Sequence, residues 1–212
     1  MRFTVTAGSD RLRLTVYRSP INKSEIRKQV LARRGALTPA ERRALSERIT
    51  PRLLALESYR AARCVMAYVS FGGEFETAGF VSDALANGKK LVLPRAERGS
   101  RALRLLEVRD PERELAPGVW GIREPRPELC PEAAPETIDF VLVPGVAFTA
   151  RCERLGYGGG FYDRLIRAFA RRPPLVAAAF SVQIVPELPV SERDEKVDLV
   201  VTEDAEYQRR ES

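Results

Sequence analysis

The sequence predicts an α/β fold of three layers, αβα, with a mainly parallel sheet preceded by N-terminal helices. Two observations carry this. Apolar runs such as "CVMAYVS", "IDFVLVPG" and "LVAAAF" read as short strands buried in a sheet. Helical segments, "TAGFVSDALANG" and "FYDRLIRAFARR", fall between such runs, and strands alternating with helices call for parallel pairing. At 212 residues the chain fits one domain over 23–212, with 1–22 as an extension of unassigned role.

Taken in order, "FTVTAGSDRLRLTVY" alternates apolar and polar residues around "GSD", as a small hairpin or a frayed extension would. It has neither the long apolar region nor the small-residue cleavage site of a secretory signal. "NKSEIRKQVLARRG" predicts a first helix, with Asn22 as N-cap, Glu25 at the third helical position, Ile26, Val30 and Leu31 on one face, and Gly35 at the end. "TPAERRALSERI" predicts a second, in which Thr38 caps, Pro39 fills the first turn and Glu41 completes a capping box. A βαβ unit follows: "CVMAYVS", then "TAGFVSDALANG" with Gly88 as its stop, then "KLVLPR". The proline-rich piece from Pro111 to Pro135 reads as an irregular excursion. "IDFVLVPG" is the next strand, "FYDRLIRAFARR" a helix after a glycine loop, "LVAAAF" a strand and "VDLVVT" the last strand.

The composition, 44% hydrophobic and 30% charged, is that of a soluble globular protein, and no apolar run reaches the roughly 20 residues of a membrane span. Histidine is absent, which removes histidine triads, histidine metal ligands and imidazole acid/base chemistry. Cys64, Cys130 and Cys152 form no CxxC pair, which points to a reducing compartment and a cytoplasmic protein. The net charge of +6 raises nucleic acid as a partner. However, Arg2, Arg11, Arg13 and Arg18 against Asp10 supply half of that excess, and the remaining arginines alternate with glutamates as on solvated helix faces. A small-molecule substrate, no nucleic acid, no membrane and a monomer are expected.

Chemistry concentrates in "RLGYGGGFYDR", Arg154 to Arg164. Gly158, Gly159 and Gly160 stand directly before a helix, where close-approaching backbone N–H groups and the helix N-terminus favour an anion. The loop matches neither GxxxxGK[ST] nor GxGxxG, and a glycine-rich turn without a ligand stays open. Arg154 and Arg164 bracket the loop, while Asp163 is either a favourable first-turn charge or a magnesium ligand beside phosphates. Lys23 and Arg27 share a face at the first helix's N-terminus, an unfavourable end for cations unless they close on a polyphosphate. Glu74 and Glu76 share a side of the extended "SFGGEFET" loop beyond the first strand, where a substrate should lie. An ionised glutamate suits a pterin edge because it accepts two parallel hydrogen bonds, the alternative being an exposed acidic loop. Trp120, Phe161 and Tyr162 read equally as packing or as ring-stacking residues.

In ordered blocks from about Lys23 to Glu203 the chain resembles the 5-formyltetrahydrofolate cyclo-ligase family, also called 5,10-methenyltetrahydrofolate synthetases. The blocks are "KSEIR", "YVSFGGEFET", "KLVLPR", "DFVLVPGVAFT", "RLGYGGGFYDR", Phe180 with Gln183, and "LPVSERDEKVD". The resemblance implies an ATP- and Mg²⁺-dependent conversion of 5-formyltetrahydrofolate to 5,10-methenyltetrahydrofolate. It implies ATP contacts for Lys23, Arg27, Arg154, Leu155, Gly156, Tyr157, Gly158, Gly159, Gly160, Phe161 and Tyr162, with Lys23 and Arg154 supporting the transition state. It implies folate contacts for Val69, Glu74, Trp120 and the Tyr157 to Phe161 stretch, and metal contacts for Asp163 and Asp194. Two departures stand out: Phe161 replaces the tyrosine of many members, and Gly159 the lysine of some. The residues leave open a different phosphate-ligand enzyme on this scaffold, such as a sugar-phosphate isomerase or CoA-transferase relative, and a basic nucleic-acid-binding protein.

Overall fold

Two capped helices lead into the sheet. The computed structural model describes residues 22–97, 99–100, 102–118 and 121–210; the expected N-terminal hairpin and Trp120 lie outside the described residues. Helix α1 (Lys23–Gly35) starts where the Asn22 side chain accepts from the Glu25 N–H at 2.8 Å. Helix α2 (Pro39–Ala55) starts at the reciprocal Thr38–Glu41 capping box, with Pro39 in its first turn. Both caps satisfy N–H groups that a helix start leaves without partners. A short helix α3 (Glu57–Ala61) then delivers the chain to the sheet.

The central sheet has seven strands: β1 (Cys64–Met66), β2 (Lys90–Ala96), β3 (Leu103–Val108), β6 (Phe140–Leu142), β9 (Leu175–Ala178), β10 (Leu199–Val201) and β11 (Glu206–Gln208). Their order is β11-β10-β9-β6-β1-β2-β3. The five inner strands pair in parallel, while β3 and β11 close the two edges antiparallel. Strand period two sorts side chains onto two faces. Val65, Phe140, Leu142, Leu91 and Leu93 join one core cluster with Ile49 and Leu53 of α2 and Phe80 of α4 (Ala78–Ala86). Met66, Val141, Val92 and Ala177 join the other with Ile166 of α6 (Phe161–Ala168). Helices therefore cover both faces of a mainly parallel sheet, as the sequence predicts. A third cluster packs Ile26 and Val30 of α1 on Val146, Leu155, Val185 and Leu188, which docks the first helix beside the loop that follows β6.

Several boundaries differ from the sequence expectation. β3 and β11 were not anticipated, so "VDLVVT" is followed by one more strand. The proline-rich piece is partly ordered, holding the short helix α5 (Pro111–Glu114) and a hairpin of β4 (Leu115–Pro117) with β5 (Arg123–Pro125). A second small hairpin joins β7 (Ala147–Phe148) to β8 (Arg154–Leu155). "CVMAYVS" is ladder-paired only to Met66, after which the chain leaves the sheet toward the Ser70–Thr77 loop. Helix α6 stops at Ala168 instead of running on to Arg172, because Phe169 turns extended and buries itself in the second cluster, just before two prolines. Gly88, in the left-handed region at φ +68°, ends α4 as expected.

Phe140 is fully buried and stacks on Phe80 with ring centroids 5.9 Å apart, whereas Thr38 is exposed. Phe140→Ala is expected to lower unfolding stability by about 3–5 kcal/mol and Thr38→Ala by about 1 kcal/mol. Urea-unfolding midpoints check this; similar shifts for the two variants would contradict the core assignment.

Candidate functional site

The carboxyl ends of β1 and β6, the glycine loop between β8 and α6, the start of α1 and the loop before β10 meet at one place. The glycine loop leaves β8 at Arg154 and Leu155. Leu155 buries its side chain with Ile26 and Val30, so it offers the loop its backbone only. Gly158 (φ +106°) and Gly160 (φ +67°) hold conformations that side chains rarely adopt, and Gly160 is the N-cap of α6. Among the described residues, no backbone N–H from 156 to 163 donates to a backbone carbonyl. The segment is a run of donors at a helix N-terminus, the arrangement that suits phosphate oxygens.

Cations surround it. Arg154, whose side chain is 2% exposed, donates from Nη2 to Asp163 Oδ1 at 2.6 Å and from Nη1 to the Pro144 carbonyl at 3.2 Å. Arg27 donates from Nε to the Gly156 carbonyl at 2.7 Å and underlies Gly158, where a Cβ would lie 3.5 Å from its guanidinium. Lys23 Nζ contacts Asp194 Oδ1 and Oδ2 at 2.6 and 2.5 Å, which offsets the unfavourable position of a cation at the start of α1. Arg164 donates to the Gly159 carbonyl at 2.8 Å and lies over the Phe161 ring. The two departures from the family pattern are coupled in space: a Cβ at Gly159 would lie 2.7 Å from the Phe161 ring, so the ring fills the room a lysine would need.

Asp163 and Asp194, 31 positions apart in sequence, come together because the Glu195 N–H donates to Asp163 Oδ1 at 3.1 Å. Among the described residues Asp163 accepts on Oδ1 alone, from Arg154 and from the Glu195 N–H. Asp194 is fully engaged, its Oδ2 also accepting from the Ser191 N–H and hydroxyl. Burial works to raise its pKa, but the bonds from Lys23 and Ser191 prevail and hold the carboxyl below its ordinary value. Among the described residues no three acidic or thiol side chains converge on a metal-sized centre. A magnesium ion beside phosphates can take as few as one or two protein carboxylates, and Asp163 and Asp194 are two such groups at this place.

Glu74 forms the other half of the site. It is 5% exposed, accepts from the Tyr157 hydroxyl at 2.8 Å on Oε1 and from the Phe71 N–H at 3.2 Å on Oε2. Burial raises its pKa despite those bonds and the nearby Arg34 charge. Glu76, which shares its parity, takes no part in this network. Val69 packs half-buried against the first core cluster beside the same loop, and Tyr162 is half-buried against the second, where burial of its phenol and the nearby Glu74 charge push its pKa up.

One site residue, Arg34, escaped sequence reasoning, and Gln183, named there only within the resemblance, was given no role. Arg34 is buried and donates to the Tyr157 hydroxyl at 2.6 Å; its signal was its place four and eight residues beyond Val30 and Ile26 on the buried stripe of α1. Gln183 donates to the Gly145 and Val146 carbonyls and so fixes the loop after β6. Of the five buried side-chain polar atoms without a partner among the described residues, three belong to this cluster: Arg34 Nη1, Arg154 Nε and Tyr162 Oη. Unpaired buried donors are costly in an ordinary core, and their concentration here marks a site built for a polar ligand.

Comparison with known proteins shows the family. Residues 20–203 match the model of the 5-formyltetrahydrofolate cyclo-ligase family. A probable 5-formyltetrahydrofolate cyclo-ligase of Caenorhabditis elegans is 30% identical over 85% of this chain and 92% of its own length. The 5-formyltetrahydrofolate cyclo-ligase of Escherichia coli K12 is 31% identical over 80% of this chain and 94% of its own. The NMR structure of Aquifex aeolicus 5,10-methenyltetrahydrofolate synthetase superposes with a TM-score of 0.77 at 35% identity, covering 90% of this chain and 94% of that one. The family model and the sequence relatives therefore lead to one statement: the chain belongs to the 5-formyltetrahydrofolate cyclo-ligase family.

Proposed function

We propose that the protein converts 5-formyltetrahydrofolate to 5,10-methenyltetrahydrofolate with ATP as co-substrate, releasing ADP and phosphate, as a cytoplasmic monomer that needs no nucleic acid or membrane. The observation that carries this is the run of N–H groups at 156–163 that have no backbone acceptor among the described residues, ringed by Lys23, Arg27 and Arg154 and adjoining the buried Glu74 carboxylate. One half suits a triphosphate and the other the amine and ring N–H edge of a pterin. The Tyr157 to Phe161 stretch lies between the halves, so its aromatic rings border the folate while its backbone faces phosphate.

In the proposed reaction the formyl oxygen on N5 bonds to the γ-phosphorus as the bond to ADP breaks. N10 then attacks the formyl carbon and gives up its proton, and the carbon–oxygen bond breaks as phosphate leaves, giving the methenyl cation. No side-chain nucleophile is required, which accounts for an active site without histidine. The chain's task is to align the two substrates and to balance negative charge. Lys23 and Arg154 supply positive charge where the phosphoryl group transfers, and the loop N–H groups orient its oxygens. Magnesium, held by Asp163 and Asp194, would neutralise phosphate charge. Arg154 pairs with Asp163 and Lys23 with Asp194, so each cation that would face phosphate stands beside a carboxylate that would hold the metal.

The reaction is tested by near-ultraviolet absorbance of protein mixed with 5-formyltetrahydrofolate. The conjugated product is expected to accumulate only after both ATP and Mg²⁺ are added, whereas turnover without ATP would favour a different phosphate-ligand enzyme on this scaffold. Role division is tested by steady-state kinetics. Lys23→Ala is expected to raise KM for ATP, and Glu74→Gln KM for the folate, each by roughly ten- to a hundredfold, the worth of a hydrogen bond to a charged group. Equal effects on both substrates in either variant would contradict the assignment.

A further inference from the structure

Arg34 has no place in the chemistry described so far, yet it is buried at the end of α1 with a guanidinium that reaches the substrate half of the site. Arginine has only donors, so the Tyr157 oxygen must accept from Nη2. The tyrosine's single proton is thereby directed to Glu74 Oε1, 2.8 Å away. Together with the Phe71 N–H on Oε2, this places one hydrogen bond on each carboxylate oxygen. A carboxylate offers about two lone-pair sites per oxygen, so one site on each remains for a pair of parallel donors. The Tyr157 ring is braced by Phe71, at a centroid distance of 5.4 Å, and by the Arg34 guanidinium at 5.7 Å.

We propose that Arg34 is a positioning residue for folate recognition, acting through the Tyr157 hydroxyl to hold Glu74 as an oriented, negatively charged acceptor. This rests on the folate reading given above. The groups facing Glu74 are Arg34 from α1, Tyr157 from the glycine loop, Tyr68 from the end of β1, and Tyr162 from α6 with Arg154 behind it. The three phenols are held neutral by burial, so Arg34 supplies the positive charge that acts on the carboxylate. Burial already raises the Glu74 pKa. Removing Arg34 or the Tyr157 hydroxyl raises it further, and folate binding is then lost at a higher pH on acidification.

The test is equilibrium binding of 5-formyltetrahydrofolate without ATP as the pH is lowered stepwise from neutrality. Arg34→Met and Tyr157→Phe are both expected to weaken binding about tenfold and to move the acid limb to higher pH. Arg34→Lys restores part of the shift, and the double variant falls short of the summed effects. Tyr157→Phe probes the same link from a half-exposed side chain and leaves the α1 core untouched. Wild-type binding with variants whose acid limb does not move, whether or not affinity falls, overturns this proposal alone. Failure of the wild type to bind overturns the folate reading and this proposal together.

Discussion

The ion pair between Arg154 and Asp163 closes the glycine loop. Arg154 begins the loop and Asp163 lies in the first turn of α6, so their 2.6 Å contact joins the two ends of the segment that carries the free N–H groups. The same two side chains reach the Pro144 carbonyl after β6 and the Glu195 N–H before β10, so one pair ties four chain segments together. Such a buried pair adds little net stability over an apolar replacement. Breaking it by removing one partner costs about 3–5 kcal/mol, because a charge is left buried alone. Its value here is geometric: it fixes where the donors stand before any ligand arrives, which is how a site lowers the entropic cost of binding.

Around that pair the molecule is preassembled but internally neutralised. Lys23 rests on Asp194, Arg27 on the Gly156 carbonyl, and Glu74 on Tyr157. Helix α1 contributes to both halves, with Lys23 and Arg27 at its start and Arg34 near its end, while Ile26 and Val30 anchor it to the core. A single helix thus couples the glycine-loop side of the site to the Glu74 side. Its first-turn cations, unfavourable for an isolated helix, are explained by the site they serve.

The fold was legible where local chemistry decides it. The caps at Asn22 and Thr38, the stop at Gly88 and the buried strand runs all follow from residue type and spacing. Edge strands β3 and β11 were not, because β3 mixes half-buried with buried positions, β11 has no buried position, and their identity comes from pairing across the sheet. At the site, Lys23, Arg27, Glu74 and the glycine loop were visible from charge, parity and composition. Arg34 was hidden because a cation in the last turn already has a reason to be there in the helix dipole, and only tertiary packing shows that it points inward. The meeting of Asp163 with the Asp194 loop depends wholly on the crossover that returns the chain beside β9.

Backbone amide hydrogen exchange with and without MgATP tests the phosphate cradle most directly. Residues 156–163 are expected to exchange fast in the free protein and to slow together when the nucleotide binds, along with the first turn of α1. Nucleotide binding, shown independently by a thermal shift, that leaves exchange at 156–163 unchanged would contradict the cradle and move the phosphate site elsewhere on the sheet.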